Sequence, residues 1–301
     1  MPEATPVPDL QTVDLDGPIY YRGWNGPRET TFVMVHGLGG SHLSWLQVGP
    51  GLAGEGRVLA PDLPGFGWSP RAGRRSGLMD LRHSLSAFIK EQATGRVILC
   101  GNSMGGALAL LQAAVEPGSV DGIVLSGSVF PWARAAGLPH PLVLATFALY
   151  DSQGLGERFV SARSTSIDPV RAVRLSFRII AAHADTIPED VIQRHIELAR
   201  ERQTDPDAVP AFLEAARSLL RLGKRPAVVM RALDGVSCPV LVLHGRRDRL
   251  VPVAFAEAEL RRRPTWRGRI FPDLGHVPQM EAPGRWIAEV ADWHAGLRGE
   301  G

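Results

Sequence analysis

Val97-Ile98-Leu99-Cys100 runs directly into Gly101-Asn102-Ser103-Met104-Gly105, and Gly106-Ala107-Leu108-Ala109-Leu110-Leu111 follows. An apolar run, a glycine-flanked serine and a helix-forming run predict strand, tight turn and helix. A serine at such a turn is held in a strained backbone conformation with its hydroxyl directed into open space. The flanking glycines are required where a Cβ would strike neighbouring backbone. The five-residue pattern alone is weak in a chain with 33 glycines. The strand before it and the helix after it give it weight, and an ordinary turn serine is the competing reading.

A serine hydroxyl needs a base, and the base needs an orienting acid. The C-terminal third offers both. Pro239-Val240-Leu241-Val242-Leu243-His244-Gly245 reads as a buried strand, with Arg246-Arg247-Asp248 at its carboxyl end. Gly268-Arg269-Ile270-Phe271 reads as a short strand leading to Asp273-Leu274-Gly275-His276-Val277-Pro278. Of nine histidines, His276 alone follows the last strand with a glycine before it, so it is assigned the base. His36 and His244 also precede a glycine at a strand end, where bracing a turn is the expected role. Asp248 is assigned the acid from its place just past the carboxyl end of the strand that closes on His244-Gly245. Asp62 reads as structural, held in its own Asp-Leu-Pro-Gly turn. Val33-Met34-Val35-His36-Gly37-Leu38-Gly39-Gly40 ends a strand in a glycine-rich turn, and the N–H groups of Leu38 and Met104 are the candidate oxyanion donors.

With serine, acid and base in that order, the chain resembles the α/β-hydrolase superfamily in its lidded serine-esterase branch. The resemblance rests on His36-Gly37, Asp62-Leu63-Pro64-Gly65-Phe66-Gly67-Trp68-Ser69, the Ser103 turn, Gly245-Arg246-Arg247-Asp248 and Gly275-His276. It implies a hydrolytic serine far more specifically than a substrate. A carboxylesterase working through an acyl-enzyme is expected. The alternatives are a carbon–carbon bond hydrolase of ring-cleavage products, a lactonase or perhydrolase, and a non-enzymatic small-molecule binder on the same fold. Gly101 to Gly106 resembles the carbon–carbon hydrolases. Val277 stands where they usually carry tryptophan, and the turn Leu38-Gly39-Gly40-Ser41 is shorter than theirs. Epoxide hydrolases and haloalkane dehalogenases are disfavoured, since they resemble this fold but carry aspartate where Ser103 stands.

Thr31–His36, Arg57–Ala60, Arg96–Cys100, Gly122–Ser126, Pro239–His244 and Arg269–Phe271 read as buried strands. Helical stretches such as Asp80–Gln92 and Gly105–Ala114 fall between them. This alternation predicts an α/β fold: a mostly parallel sheet with helices on both faces and ligands at the carboxyl ends of the strands. The alternation fails between Val129 and Asp234. There Val170, Val173, Phe177 and Ile180 mark one helix. Pro188 opens another, with Glu189 and Asp190 first and Arg200 and Arg202 last. Val209, Phe212, Leu213, Ala216, Leu219 and Leu220 mark a third, stopped by Gly223. The expected organisation is a hydrolase core of residues 1–128 and 235–301, with a helical cap inserted as 129–234. An independent helical domain with its own partner is the other reading.

At 301 residues one large core is possible, and a net charge of +2 gives no basis for a nucleic-acid partner. Within the inserted segment acidic and basic residues nearly cancel, so uncharged esters of short to medium acyl chain are the expected substrates, with Leu142 and Leu213 as pocket-narrowing positions. No histidine and carboxylate cluster has metal-ligand spacing, so neither metal nor organic cofactor is expected. Cys100 and Cys238 read as reduced core thiols. Met1–Leu10 has no basic start or apolar stretch, and Leu138–Tyr150 is too short to span a bilayer. A soluble cytoplasmic enzyme without a membrane partner is therefore expected. Nothing in the sequence sets an oligomeric state.

Overall fold

All six expected strands are present in the computed structural model, which describes residues 7–129 and 140–299. They are β3 (Thr30–Val35), β4 (Arg57–Pro61), β5 (Arg96–Asn102), β6 (Gly122–Ser126), β7 (Val240–Gly245) and β8 (Arg267–Phe271). Two more precede them, β1 (Leu10–Asp14) and β2 (Pro18–Trp24), and the eight form one sheet in the order β1-β2-β4-β3-β5-β6-β7-β8. β4 through β8 pair in parallel, whereas β1 and β2 form an antiparallel edge.

The edge hairpin escaped the sequence reading, although β2 alternates in the way a half-buried strand should. Ile19 and Tyr21 are buried while Tyr20 and Arg22 are only partly covered. The signal is short and sits among prolines. Its turn is Asp16-Gly17, both at positive φ (54° and 116°), with the Gly17 N–H donating to Asp14 Oδ1 at 2.8 Å. An Asp-Gly pair favours such hairpin turns because glycine carries no steric penalty there.

Successive residues of β3 enter opposite core layers. Val33 and Val35 pack with Leu85 and Phe88 of α2 (Leu78–Gln92) and Leu108 of α3 (Met104–Val115). Phe32 and Met34 pack with Leu52 of α1 (Gly49–Leu52) and with Trp286 and Val290 of α12 (Pro283–Gly299). A strand buried on both faces reads as an unbroken apolar run, which is why this part was legible. Cys100 and Cys238 are both free and belong to layers on opposite sides of the sheet.

Between β6 and β7 the described chain is helical: α4 (Pro141–Asp151), α5 (Leu155–Ser166), α6 (Pro169–Ile180), α7 (Glu189–Arg202), α8 (Ala208–Gly223) and α9 (Pro226–Asp234). The expected boundary at residue 129 runs into residues 130–139, which lie outside the described residues. α10 (Val253–Arg262) follows β7, and α11 (Pro278–Glu281) follows β8. α6 and α7 share a cluster (Phe177, Val191, Ile196) with Val277, which directly follows His276, and with Met280 of α11. Among the described residues no helix is long and apolar enough to cross a membrane.

Candidate active site

Ser103 sits between the end of β5 and the first residue of α3, with φ 54° and ψ −116°. A side chain in that region costs about 1–3 kcal/mol and persists only where its surroundings enforce it. The surroundings here are tight. A Cβ at Gly101 would lie 2.3 Å from the Gly105 carbonyl oxygen, and one at Gly105 would lie 2.1 Å from that of Val35. The Ser103 N–H donates to Ser126 O at 3.1 Å, and its carbonyl accepts Gly106 N at 3.0 Å. The turn is thus pinned between β3 and β6, the neighbours of β5.

His276 follows β8 and is buried. Its Nδ1 lies 2.7 Å from Asp248 Oδ2. The carboxylate can only accept, so Nδ1 carries the proton and Nε2 is the basic nitrogen. Asp248 Oδ1 accepts the N–H groups of Leu250 (2.8 Å) and Val251 (2.9 Å). Burial alone would push the Asp248 carboxyl up. His276, His244 and the Val251 N–H together outweigh it and hold the group below the usual range, so it stays ionised. Two other carboxylates that follow strands, Asp273 and Asp62, are engaged elsewhere. Asp273 forms a two-pronged pair with Arg285 at 2.6 and 3.0 Å, and Asp62 takes the Nδ1 and N–H of His42 at 2.9 and 2.6 Å.

The remaining strand-end histidines brace turns. His36 Nε2 accepts the Leu63 N–H at 3.1 Å, so its Nδ1–H donates to Gly37 O at 2.8 Å. This fixes the glycine turn after β3. Burial lowers the His36 pKa against the opposing charge of Asp62 and keeps the ring neutral. His244 donates from Nε2 to Val251 O at 3.0 Å, holding the Asp248 loop. Leu38 is half-buried and the Met104 side chain is in the core. Among the described residues neither of their N–H groups donates to a backbone acceptor. Ser103, His276 and the turn from Gly37 to Ser41 line one cavity of about 1070 Å³, whose other wall is built by α4 to α8.

Two residues that the sequence reading did not single out tie this site together. Asn102 Nδ2 donates to Ser126 O at 2.8 Å and to His276 O at 3.1 Å, linking the ends of β5 and β6 to the loop after β8. Glu281 is buried, and its carboxylate accepts the N–H groups of Gly275, Ala182 and His183 at 2.9, 2.8 and 3.2 Å. Asn102 lies inside the serine motif and was visible as part of it. Glu281 had no signal, because its partners are backbone groups distant in sequence. Among the described residues no group of three or more histidines, cysteines or carboxylates is placed to hold a metal.

A sequence profile of the alpha/beta hydrolase fold matches residues 30–283. The chain is 30% identical over 257 residues to a pimeloyl-[acyl-carrier protein] methyl ester esterase of Aromatoleum aromaticum, covering 83% of this chain and 92% of the relative. It is 30% identical over 280 residues to a 2-hydroxy-6-oxo-2,4-heptadienoate hydrolase of Pseudomonas putida, covering 87% and 88%. It is 29% identical over 268 residues to the dihydrolipoyllysine-residue acetyltransferase component of an acetoin cleaving system, also of Pseudomonas putida. That match takes in 85% of this chain and 61% of the relative, less than two thirds of its length. Sheet order, the serine turn after β5 and the profile match agree, and the chain belongs to the α/β-hydrolase family.

Proposed function

We propose that this chain is a serine hydrolase that cleaves carboxylic esters through an acyl-enzyme. The observation that carries this is one cavity lined both by a strained Ser103 and by His276, whose Nδ1 lies 2.7 Å from a buried, ionised Asp248. His276 Nε2 takes the Ser103 Oγ proton as Oγ attacks the acyl carbon. The N–H groups of Leu38 and Met104 receive the developing oxyanion. The imidazolium returns its proton to the departing alcohol, and water activated by the same nitrogen releases the acid. Asp248 fixes the tautomer and stabilises the imidazolium. The inserted helices α4 to α9 act as a cap over the strand ends of the core, and their cavity-facing side chains select the acyl group.

The resemblance to a pimeloyl methyl ester esterase supports ester cleavage. A second reading, carbon–carbon hydrolysis, draws on the heptadienoate hydrolase of similar identity and on the Gly101–Gly106 string. Val277 and the short turn after Leu38 favour the esterase. The test is labelling by a fluorophosphonate, followed by a panel of p-nitrophenyl esters of graded chain length run beside a ring-cleavage dienoate. An esterase labels fast at Ser103 and turns over the esters. Turnover of the dienoate alone would favour the second reading, and absent labelling would point to a binding protein.

A further inference from the structure

Summed over the inserted helices the charges nearly cancel, but by position they do not. The cavity shared by Ser103 and His276 is walled largely by carbon, and three cationic side chains from the inserted helices reach it: Arg163, Arg202 and Lys224. Lys224 Nζ is 2.8 Å from Asp151 Oδ2, and Arg202 Nη1 is 2.6 Å from Asp205 Oδ2, so both carry their counter-ion. Arg163, on α5, has no carboxylate partner among the described residues. Among those residues its one side-chain hydrogen bond, Nη2 to Ser176 Oγ, is 3.5 Å long, at the weak limit. Ser176 and Ser164 line the cavity beside it, as does Gln203, whose Nε2 donates to Ser164 O at 2.7 Å. The part of the cavity around Arg163 is therefore polar and, among the described residues, carries a positive charge without a carboxylate partner.

A guanidinium presents a planar fork of donors that matches a carboxylate in two-pronged geometry, and it cannot shed its charge. In a cavity with apolar walls, such a pair is stronger than in water. A neutral acyl chain would leave this fork unused and partly dehydrated. Building on the esterase reading, we propose that Arg163 binds a carboxylate carried on the acyl chain away from the scissile carbonyl. The preferred substrates are then monoesters of dicarboxylic acids, with the methylene chain against the apolar wall and the free acid at Arg163.

The test compares the p-nitrophenyl monoester of octanedioic acid with p-nitrophenyl octanoate, in wild type and Arg163→Gln. Wild type is expected to favour the anionic ester in kcat/KM. Arg163→Gln is expected to lose about 10- to 100-fold on that ester, the range for a charge-assisted hydrogen-bonded pair, while the octanoate ester changes less than twofold. Arg163→Lys should fall between. The fluorophosphonate labelling rate of Ser103 should be unchanged in all three, which separates a lost contact from a damaged fold. Calorimetric binding of octanedioate itself gives a readout independent of turnover, and Arg163→Gln should weaken it at least tenfold. If esters are cleaved without preference for the free acid, or if Arg163→Gln lowers both esters alike, the Arg163 assignment fails and the esterase reading stands. If no ester is cleaved but octanedioate binding depends on Arg163, the esterase reading fails and the carboxylate site stands.

Discussion

The carboxylate of Glu281 accepts the backbone N–H of Gly275 at 2.9 Å, one residue before His276, and with its other oxygen it accepts the N–H groups of Ala182 and His183. The His276 N–H itself donates to Ile180 O at 2.7 Å. The loop carrying the proposed base is thus fastened to the segment that ends α6. Glu281→Gln puts an amide in place of one acceptor oxygen and sets N–H groups against N–H groups in a buried place. A loss of about 1–3 kcal/mol in folding stability is expected, together with a fall in kcat larger than any rise in KM. Chemical denaturation and ester kinetics on the same preparation check both; an unchanged kcat would mean the loop holds its position without the tie.

Ser103→Ala should abolish ester hydrolysis and fluorophosphonate labelling while the protein remains folded. Loss of a nucleophile in such an assembly typically lowers turnover about a million-fold. Residual activity above about a tenth of wild type is incompatible with the proposed role.

Asp248→Asn should keep the fold and lower kcat by about 10,000-fold, because the amide cannot hold Nδ1 as the protonated nitrogen. The turns that bind Asp62 to His42 and Asp273 to Arg285 leave neither carboxylate free to substitute. Near-normal turnover in Asp248→Asn would show that the His276 tautomer is set by another group.

Glu116 gives a pH-dependent stability whose sign follows from its contacts. Hydrogen bonds from Arg82 and Lys90, with Ser86 adding to them, hold its carboxyl at about 2, against an ordinary value of 4.5. A carboxyl lowered on folding stabilises the native state above its unfolded pKa and loses that contribution as pH falls through its folded pKa. Wild type should therefore be more stable than Glu116→Gln at neutral pH, and the gap should close between about pH 4.5 and pH 2. Urea midpoints across that range measure it; a gap that persists at pH 2 would assign the difference to packing.

Leu142→Trp should shift the preferred acyl length downward, because Leu142 borders the cavity and is 70% exposed, leaving room for a larger ring to lean inward. Each methylene that loses its place forfeits about 0.8 kcal/mol. Leu213 behaves differently from its helical spacing: it is 1% exposed in a cluster with Tyr150 and Ala216 and does not border the cavity, whereas its neighbour Phe212 does. Leu213→Trp should overpack that cluster and lower stability by about 1–3 kcal/mol. A graded ester series for one variant and a melting curve for the other distinguish the two outcomes.

The parts legible from sequence were those whose physics is local. β3 to β7 are runs buried on both faces, the Ser103 turn is bracketed by glycines that tolerate no Cβ, and α7 carries its acids first and its arginines last. His276 and Asp248 were legible as strand-end residues, but their 2.7 Å contact spans two strands and had to be seen. Glu281, Asn102 and the isolation of Arg163 were not legible as such. Each depends on which backbone groups or carboxylates lie nearby in space, and no periodicity encodes that. A sum of charges does not register such placement, because it adds residues whose partners differ.

The sheet order has one more consequence. Five adjacent strands, β3, β5, β6, β7 and β8, each end in one component of the proposed site: the Gly37 turn, Ser103, the Ser126–Gly127 corner, Asp248 and His276. Neighbouring strands are spaced about 4.8 Å apart and advance about 3.3 Å per residue. A one-residue register slip anywhere among them would therefore displace a component by more than a hydrogen-bond length. On the proposed mechanism, labelling of Ser103 therefore reports on chain assembly: a partly folded molecule with β8 still undocked would keep its serine turn and remain inert. In refolding, labelling should appear only with the last strand, after most helix and sheet signal has returned.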